Sequence, residues 1–406
     1  MSLFLTMNNT QTEQVHTKNR FKRIIGTFKG NNSGPTLVFI GGIHGNESSG
    51  VLALERVLES LQGKEAEFSG KIIALAGNLK ALQHKVRFIS TDLNRLFTID
   101  KVNEIRTGKQ QTLEDEKEQI SLLKELDRII LTEKEPLYFF DLHTTSSKTE
   151  PFLTINDTLL NRSFTKNYPL PIVLGIEEYL EGPLLSYINE LGYVAFGFEA
   201  GQHTSKKALA NHISFIYVSF MIAGSFSESD KNCKLHFYKL LKATIQKDKF
   251  YEIIYRFKIE EKASFKMHAG FENFQKFDKN RVLAENNYQE IYSPYSGSIF
   301  MPLYQGKGND GFFVIRKIPK VFLTLSKWLR NVKLDHLLVL LPGVNWQNKN
   351  KEAMVINLTV ARFFTKQFFH LLGYRSKRKD SKQLIMKNRE RASKTEMYKS
   401  SRWFNK

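Results

Sequence analysis

The sequence predicts an α/β protein: a mixed central sheet with helices on both faces, then a smaller β-rich domain and a basic carboxyl-terminal tail. Two observations carry this. Short, strongly apolar runs alternate with longer stretches of helical periodicity up to about residue 228, the pattern of a covered sheet whose strands are buried on both faces. After that the runs become short and alternating, separated by Pro/Gly turns.

The expected strands are 36–42 (TLVFIGG), 71–78 (KIIALAGN), 137–143 (LYFFDLH), 171–176 (PIVLGI) and 193–201 (YVAFGFEAG). Residues 47–61, 114–133 and 208–224 repeat apolar side chains every three to four positions and read as helices. A helix-like 231–246 opens the second part. Alternating runs at 250–259 and 311–317 then flank the turn-rich YSPYSGSIFMPLYQGKGNDG, and a further helix is expected over 353–373. The expected units are 1–228, a catalytic domain; 229–345, the β-rich domain; and 346–406, a helical segment with the basic tail.

At 406 residues the chain exceeds what one core usually serves. With 41% hydrophobic and 25% charged residues it folds, and no run is long and apolar enough to span a bilayer. A single cysteine, Cys233, excludes an internal disulfide framework and Cys-rich metal sites. With no secretory leader pattern at the amino terminus, a cytoplasmic location is expected. The net charge of +19 invites a nucleic-acid reading. Its distribution argues otherwise: residues 375–406 hold twelve Lys/Arg against three Asp/Glu, about half the surplus. No specific nucleic acid is expected, and the tail reads as a solvated appendage able to associate weakly with an anionic surface.

Four polar clusters fall at or just past expected strands, where ligands bind in open α/β sheets. In GGIHGNE, His44 and Glu47 are three apart where a strand runs into a helix, so both can face one point. Imidazole and carboxylate are both ordinary zinc ligands. His143 closes the apolar strand YFFDLH and supplies a third, giving a His-Glu-His set with an open fourth position. Glu199, at the end of AFGFE, is a carboxylate where an unpaired charge is costly, which suits a general base. RFISTDLNRLF packs Arg87, Asp92, Asn94 and Arg95 into one short segment. Each cluster alone has an ordinary structural explanation: a satisfied core histidine, a paired carboxylate, a solvated ion-pair loop.

In this order, GGIHGNE, RFISTDLNRLF, DLHTT and FEAG resemble the succinylglutamate desuccinylase and aspartoacylase family, a branch of the zinc-carboxypeptidase superfamily. The resemblance covers roughly 35–225 and extends more loosely through SPYSGSIFMPLYQGKGNDGFFVIRK. It implies one Zn²⁺ on His44, Glu47 and His143, with Glu199 as the base moving a proton from a metal-activated water to the leaving amine. It implies Arg87 at the oxyanion, and Asn94 and Arg95 on a substrate carboxylate. The implied activity is hydrolysis of the amide of an N-acyl amino acid or a similar small carboxylate-bearing molecule. A carboxypeptidase-like peptidase and a catalytically inactive binding protein are the alternatives. Aspartoacylases carry a further arginine ahead of the base, where this chain reads LLSYINELGYVAFGFE, and a tyrosine where it has Phe312 and Phe313. Those departures speak against N-acetylaspartate.

Overall fold

The computed structural model describes residues 21–109, 111–261, 263–332, 338–347, 353–357, 371–378 and 383–404. Its centre is an eleven-stranded mixed sheet. The strands are β1 (Ile24–Lys29), β2 (Asn32–Gly41), β3 (Ser69–Ala76), β4 (Leu137–Thr145), β5 (Phe152–Ile155), β6 (Ile172–Leu174), β7 (Val194–Gln202) and β8 (Phe250–Lys258), followed after β9 (Phe265–Met267) by β10 (Lys276–Phe277). After β11 (Val282–Asn286) and β12 (Gln289–Tyr292) come β13 (Gly297–Phe300) and β14 (Asp310–Lys317). The spatial order is β1-β3-β2-β4-β7-β5-β6-β8-β14-β13-β10, and β9, β11 and β12 form a separate small sheet. Strands β3, β2, β4 and β7 run parallel, whereas β5 returns antiparallel to β7. The expected mixed sheet is present. The β-rich region does not stand apart from it, because β8 pairs with β6 and brings β14, β13 and β10 into the same sheet.

Strand alternation divides β4 between two cores. Tyr138 and Phe140 face one layer, with α1 (Ser49–Ser60) and a later helix, Lys206–Ala223. Leu137 and Phe139 face the other, with Glu114–Thr132 and Leu184–Glu190. Burying one such Phe is worth about 1.5–3 kcal/mol. The same alternation puts Asp141 and His143 on the second face, beyond the end of its hydrophobic layer.

The carboxyl-terminal reading needs two corrections. Ala353–Asn357, expected as helix, is a strand, central in a four-stranded sheet with Val344–Trp346, Gln383–Asn388 and Tyr374–Arg378. Met354 and Ile356 point together into a core with Val344, Tyr374 and Met386, so a period of two overrides the helical spacing. Residues 358–370 of that expected helix lie outside the described residues.

The basic tail is not a solvated appendage. Tyr398 and Trp403 are buried beneath the amino-terminal end of β4: the Trp403 indole N–H donates to Tyr138 at 2.9 Å, and the Val194 N–H donates to the Tyr398 hydroxyl at 3.0 Å. Many of the cations are used internally. Arg389 lies 2.8 Å from Glu177, while Arg375 and Lys387 approach Glu190 at 3.6 and 3.5 Å. The local excess of base balances carboxylates on the body of the protein.

One such knot is buried. Asp157 meets Arg162, Arg330 (2.8 Å) and Arg389 (3.8 Å). Burial opposes ionisation of Asp157, but the three guanidinium groups outweigh it and hold the carboxyl well below its usual range. With a depressed folded value, its stabilisation is present above the unfolded carboxylate value of about 3.9 and is lost as pH falls through the folded one. Asp157→Ala, which strands buried cations, is expected to cost about 3–5 kcal/mol, read as a lower denaturant midpoint at pH 7. A midpoint unchanged at pH 7 would show that the knot contributes nothing.

Among the described residues no helix is long and apolar enough to cross a membrane.

Candidate active site

The site begins where β2 ends. Gly42 adopts φ +72°, and a Cβ on Gly45 would stand 1.9 Å from the Ala81 carbonyl carbon, so this turn tolerates no side chain at either position. The turn brings His44 and Glu47 to one point before α1 starts: the Glu47 N–H donates to the His44 carbonyl at 3.1 Å. The sequence reading set them where the strand runs into the helix. They precede it, and the tight turn produces the same convergence.

His143 and Glu199 are register partners on the adjacent strands β4 and β7, so both emerge from the sheet side by side at its carboxyl edge. His143 Nδ1 lies 3.1 Å from Glu47 Oε2, and His44 Nδ1 lies 2.9 Å from Glu47 Oε1. One donor atom from each of these three buried residues falls within 4.8 Å of the others. The opposite ring nitrogens each face an aspartate: His44 Nε2 is within hydrogen-bond reach of Asp92 at 3.1 Å, and His143 Nε2 lies 2.7 Å from Asp141, an ion-pair contact outside hydrogen-bond geometry. Such carboxylates orient a ring so that Nδ1 faces Glu47.

The segment carrying Arg87, Asn94 and Arg95 is pinned by Asp115. This buried carboxylate accepts from the N–H groups of Ile89 (3.2 Å), Ser90 (2.6 Å) and Thr91 (2.9 Å), and from the Asn78 side chain at 2.7 Å. Arg87 reaches Asp92 at 3.3 Å and lies 3.6 Å from Glu47. The Asn94 side-chain oxygen accepts from the Leu184 N–H at 2.9 Å, and Arg95 donates to Asp310 at 3.1 Å. Arg256 also binds Asp310, at 2.5 Å. All seven expected site residues line one cavity of about 490 Å³.

Burial opposes ionisation of Glu47, yet His44 and His143 hold its carboxyl well below the usual range. His143 is displaced upward: burial opposes the imidazolium, and Asp141 followed by Glu47 outweigh it. Burial pushes the Glu199 carboxyl up to about 8, with His143 opposing and Glu47 and Asp141 adding to the rise. Two carboxyl groups lining one cavity thus hold opposite protonation tendencies, the usual signature of divided roles. Glu199 Oε2 and Arg87 Nε are buried without a hydrogen-bond partner among the described residues, and both residues line the cavity. Unpaired buried polar atoms are costly to keep and suit a site completed by a ligand.

Residues 33–214 match the family model described as Succinylglutamate desuccinylase/Aspartoacylase catalytic domain. The family resemblance is therefore shown over that segment. A succinylglutamate desuccinylase of Pseudomonas paraeruginosa is 37% identical over 65 residues, 16% of this chain and 20% of that protein. One from Pseudomonas aeruginosa is 28% identical over 123 residues, 30% of this chain and 35% of that protein. The chain thus matches about a fifth to a third of the length of these relatives. A succinylglutamate desuccinylase/aspartoacylase structure from Rhodobacter sphaeroides superposes with a TM-score of 0.55 at 16% identity, covering 72% of this chain and 88% of that one. The product-bound ectoine utilization protein EutE (DoeB) from Ruegeria pomeroyi gives 0.53 at 18% identity, with the same coverages. At such identities the superpositions establish the fold.

Within this desuccinylase/aspartoacylase fold, sequence reading missed Asp141 as the partner of His143. The signal was available in D-L-H, since residues two apart on a strand share a face. Asp92 was noticed only as one of a charged cluster. His203, which pairs with Thr144 at 2.8 Å and Gln305 at 3.2 Å, carried no sequence signal.

Proposed function

We propose that the chain is a zinc-dependent deacylase that hydrolyses the amide of a small N-acyl amino acid. The observation that carries this is the convergence, in one cavity, of the His44, Glu47 and His143 donor atoms with Glu199 and Arg87. The donor set fits zinc: three buried N/O ligands, with both histidines oriented from behind by aspartates. Zinc, when bound, supplies a Lewis acid and makes water a nucleophile near neutral pH.

The protein's own residues supply the rest. Glu199, unpartnered at Oε2, accepts a proton from the attacking water and delivers it to the departing amide nitrogen. The water oxygen bonds to the acyl carbon, the C–N bond breaks, and a carboxylic acid and an amine leave. Arg87, anchored by Asp92, holds its guanidinium where negative charge develops on the carbonyl oxygen. Asn94 and Arg95 line the cavity where a substrate carboxylate would be gripped, with Arg95 sharing its charge with Asp310. A cytoplasmic setting belongs to the same reading, supported by the chain's single cysteine.

Elemental analysis should find about one zinc per chain, lost in His44→Ala and in His143→Ala, and a chelator should abolish N-acyl amino acid hydrolysis. A protein that holds no zinc even when the metal is supplied would sink this reading. Faster cleavage of dipeptides than of N-acyl amino acids would move it to a peptidase.

A further inference from the structure

The cavity continues past Glu199 along the sheet, and this inner arm has a different character from the reacting end. Gly197 lies two residues before Glu199 on β7, so both belong to the same face. A Cβ at Gly197 would stand 2.6 Å from the Thr154 hydroxyl, so no side chain fits on this stretch of the lining. Thr154 is the register partner of Gly197 on β5. Beyond it Asn156 accepts a hydrogen bond from Ser186 at 3.2 Å, which joins the sheet floor to the covering helix Leu184–Glu190. The opposite wall is apolar: Ile176, Leu180, Met301 and Phe313 pack together from the first region and from the β13–β14 segment.

None of these inner residues is charged. The guanidinium groups that line the cavity belong to Arg87 and Arg95, and each is already paired, to Asp92 and Asp310. A second carboxylate pushed into the inner arm would lose water and meet hydroxyl and amide groups in place of a cation.

We propose that the inner arm receives an uncharged portion of the substrate, with hydroxyl or amide groups at most, so that the site selects substrates lacking a carboxylate at that end. This rests on the deacylase reading and names its substrate class. The multiply anionic N-succinylglutamate is then a poor substrate.

The test uses the zinc-loaded full chain and isosteric pairs that differ only in charge: N-acetylglutamine against N-acetylglutamate for the amino-acid side chain, and N-succinamoylalanine against N-succinylalanine for the acyl group. At one of the two positions the neutral member should be favoured by roughly a hundredfold or more in kcat/KM. Leu185→Arg, which adds a cation to the lining, should narrow or reverse the preference at that position and leave the other unchanged. The same pairs measured by equilibrium binding to Glu199→Gln keep the question answerable without turnover. Preference for the charged member at both positions, or no binding of any of the four, would overturn the proposal. Discrimination in binding without hydrolysis by the unmutated protein would keep the inner-arm assignment and overturn the deacylase. If Leu185→Arg fails to fold, the unmutated protein's preference decides alone.

Discussion

Glu199→Gln is expected to lower kcat by roughly 10²–10⁴-fold while leaving the zinc content unchanged. That loss corresponds to about 3–5.5 kcal/mol of transition-state stabilisation. The substitution keeps the side chain's volume and its place at the end of β7, so packing against Phe152 and the neighbouring strands is undisturbed. It removes one capacity, that of accepting a proton from water and giving it to the amine. Glu199 is not among the three converging donors, so metal retention separates its role from theirs. The variant should also be at least as stable as the parent. Burial opposes ionisation of this carboxyl, so a neutral amide of the same volume is tolerated in the same place. A kcat within tenfold of the parent, or a protein that loses its zinc, would remove Glu199 from the proton-transfer role. Steady-state kinetics beside elemental analysis of one preparation decides it.

How far the sequence could be read depended on whether a feature was local. His44, His143 and Glu199 were legible because each stands at or just past the end of a strand whose apolar run announces it. Glycines 42 and 45 mark a turn that only a side-chain-free backbone can make. The aspartates behind the histidines were half legible. Asp141 follows from strand alternation, whereas the approach of Asp92 to His44 depends on a loop folded across 48 residues. The inner arm was illegible: Thr154, Asn156, Ser186 and Phe313 are ordinary residues brought together by an antiparallel return of β5 and by the late strands joining the main sheet. At the carboxyl terminus the abundance of Lys and Arg dominated the reading, although Met397, Tyr398, Trp403 and Phe404 give that segment an apolar face. Charge density announces exposure only when no carboxylates await it, and here Glu177, Glu178 and Glu190 do.

Trp403→Ala is expected to destabilise the protein by about 3–5 kcal/mol, and removal of residues 375–406 to prevent cooperative folding and with it zinc binding. Trp403 is 2% exposed, packs edge-on against Phe164 at 5.0 Å between ring centroids, and donates its indole N–H to Tyr138. Tyr138 in turn stacks edge-on with Tyr398, whose hydroxyl accepts the Val194 N–H and binds the Leu137 carbonyl. The tail thus closes the amino-terminal ends of β4 and β7, the two strands whose carboxyl ends present His143 and Glu199. Truncation would expose Tyr138, Phe164 and the ends of both strands, and would leave Arg330 buried against Asp157 without Glu390. A solvated tail predicts the reverse: unchanged folding and unchanged zinc. Lys399→Gln is the control, since this exposed side chain pairs with its helical neighbour Glu396 at the surface and should shift stability by less than about 0.5 kcal/mol. Denaturant midpoints of the three proteins, with zinc content measured on each, distinguish the alternatives. Wild-type stability in Trp403→Ala would return the tail to the status of an appendage.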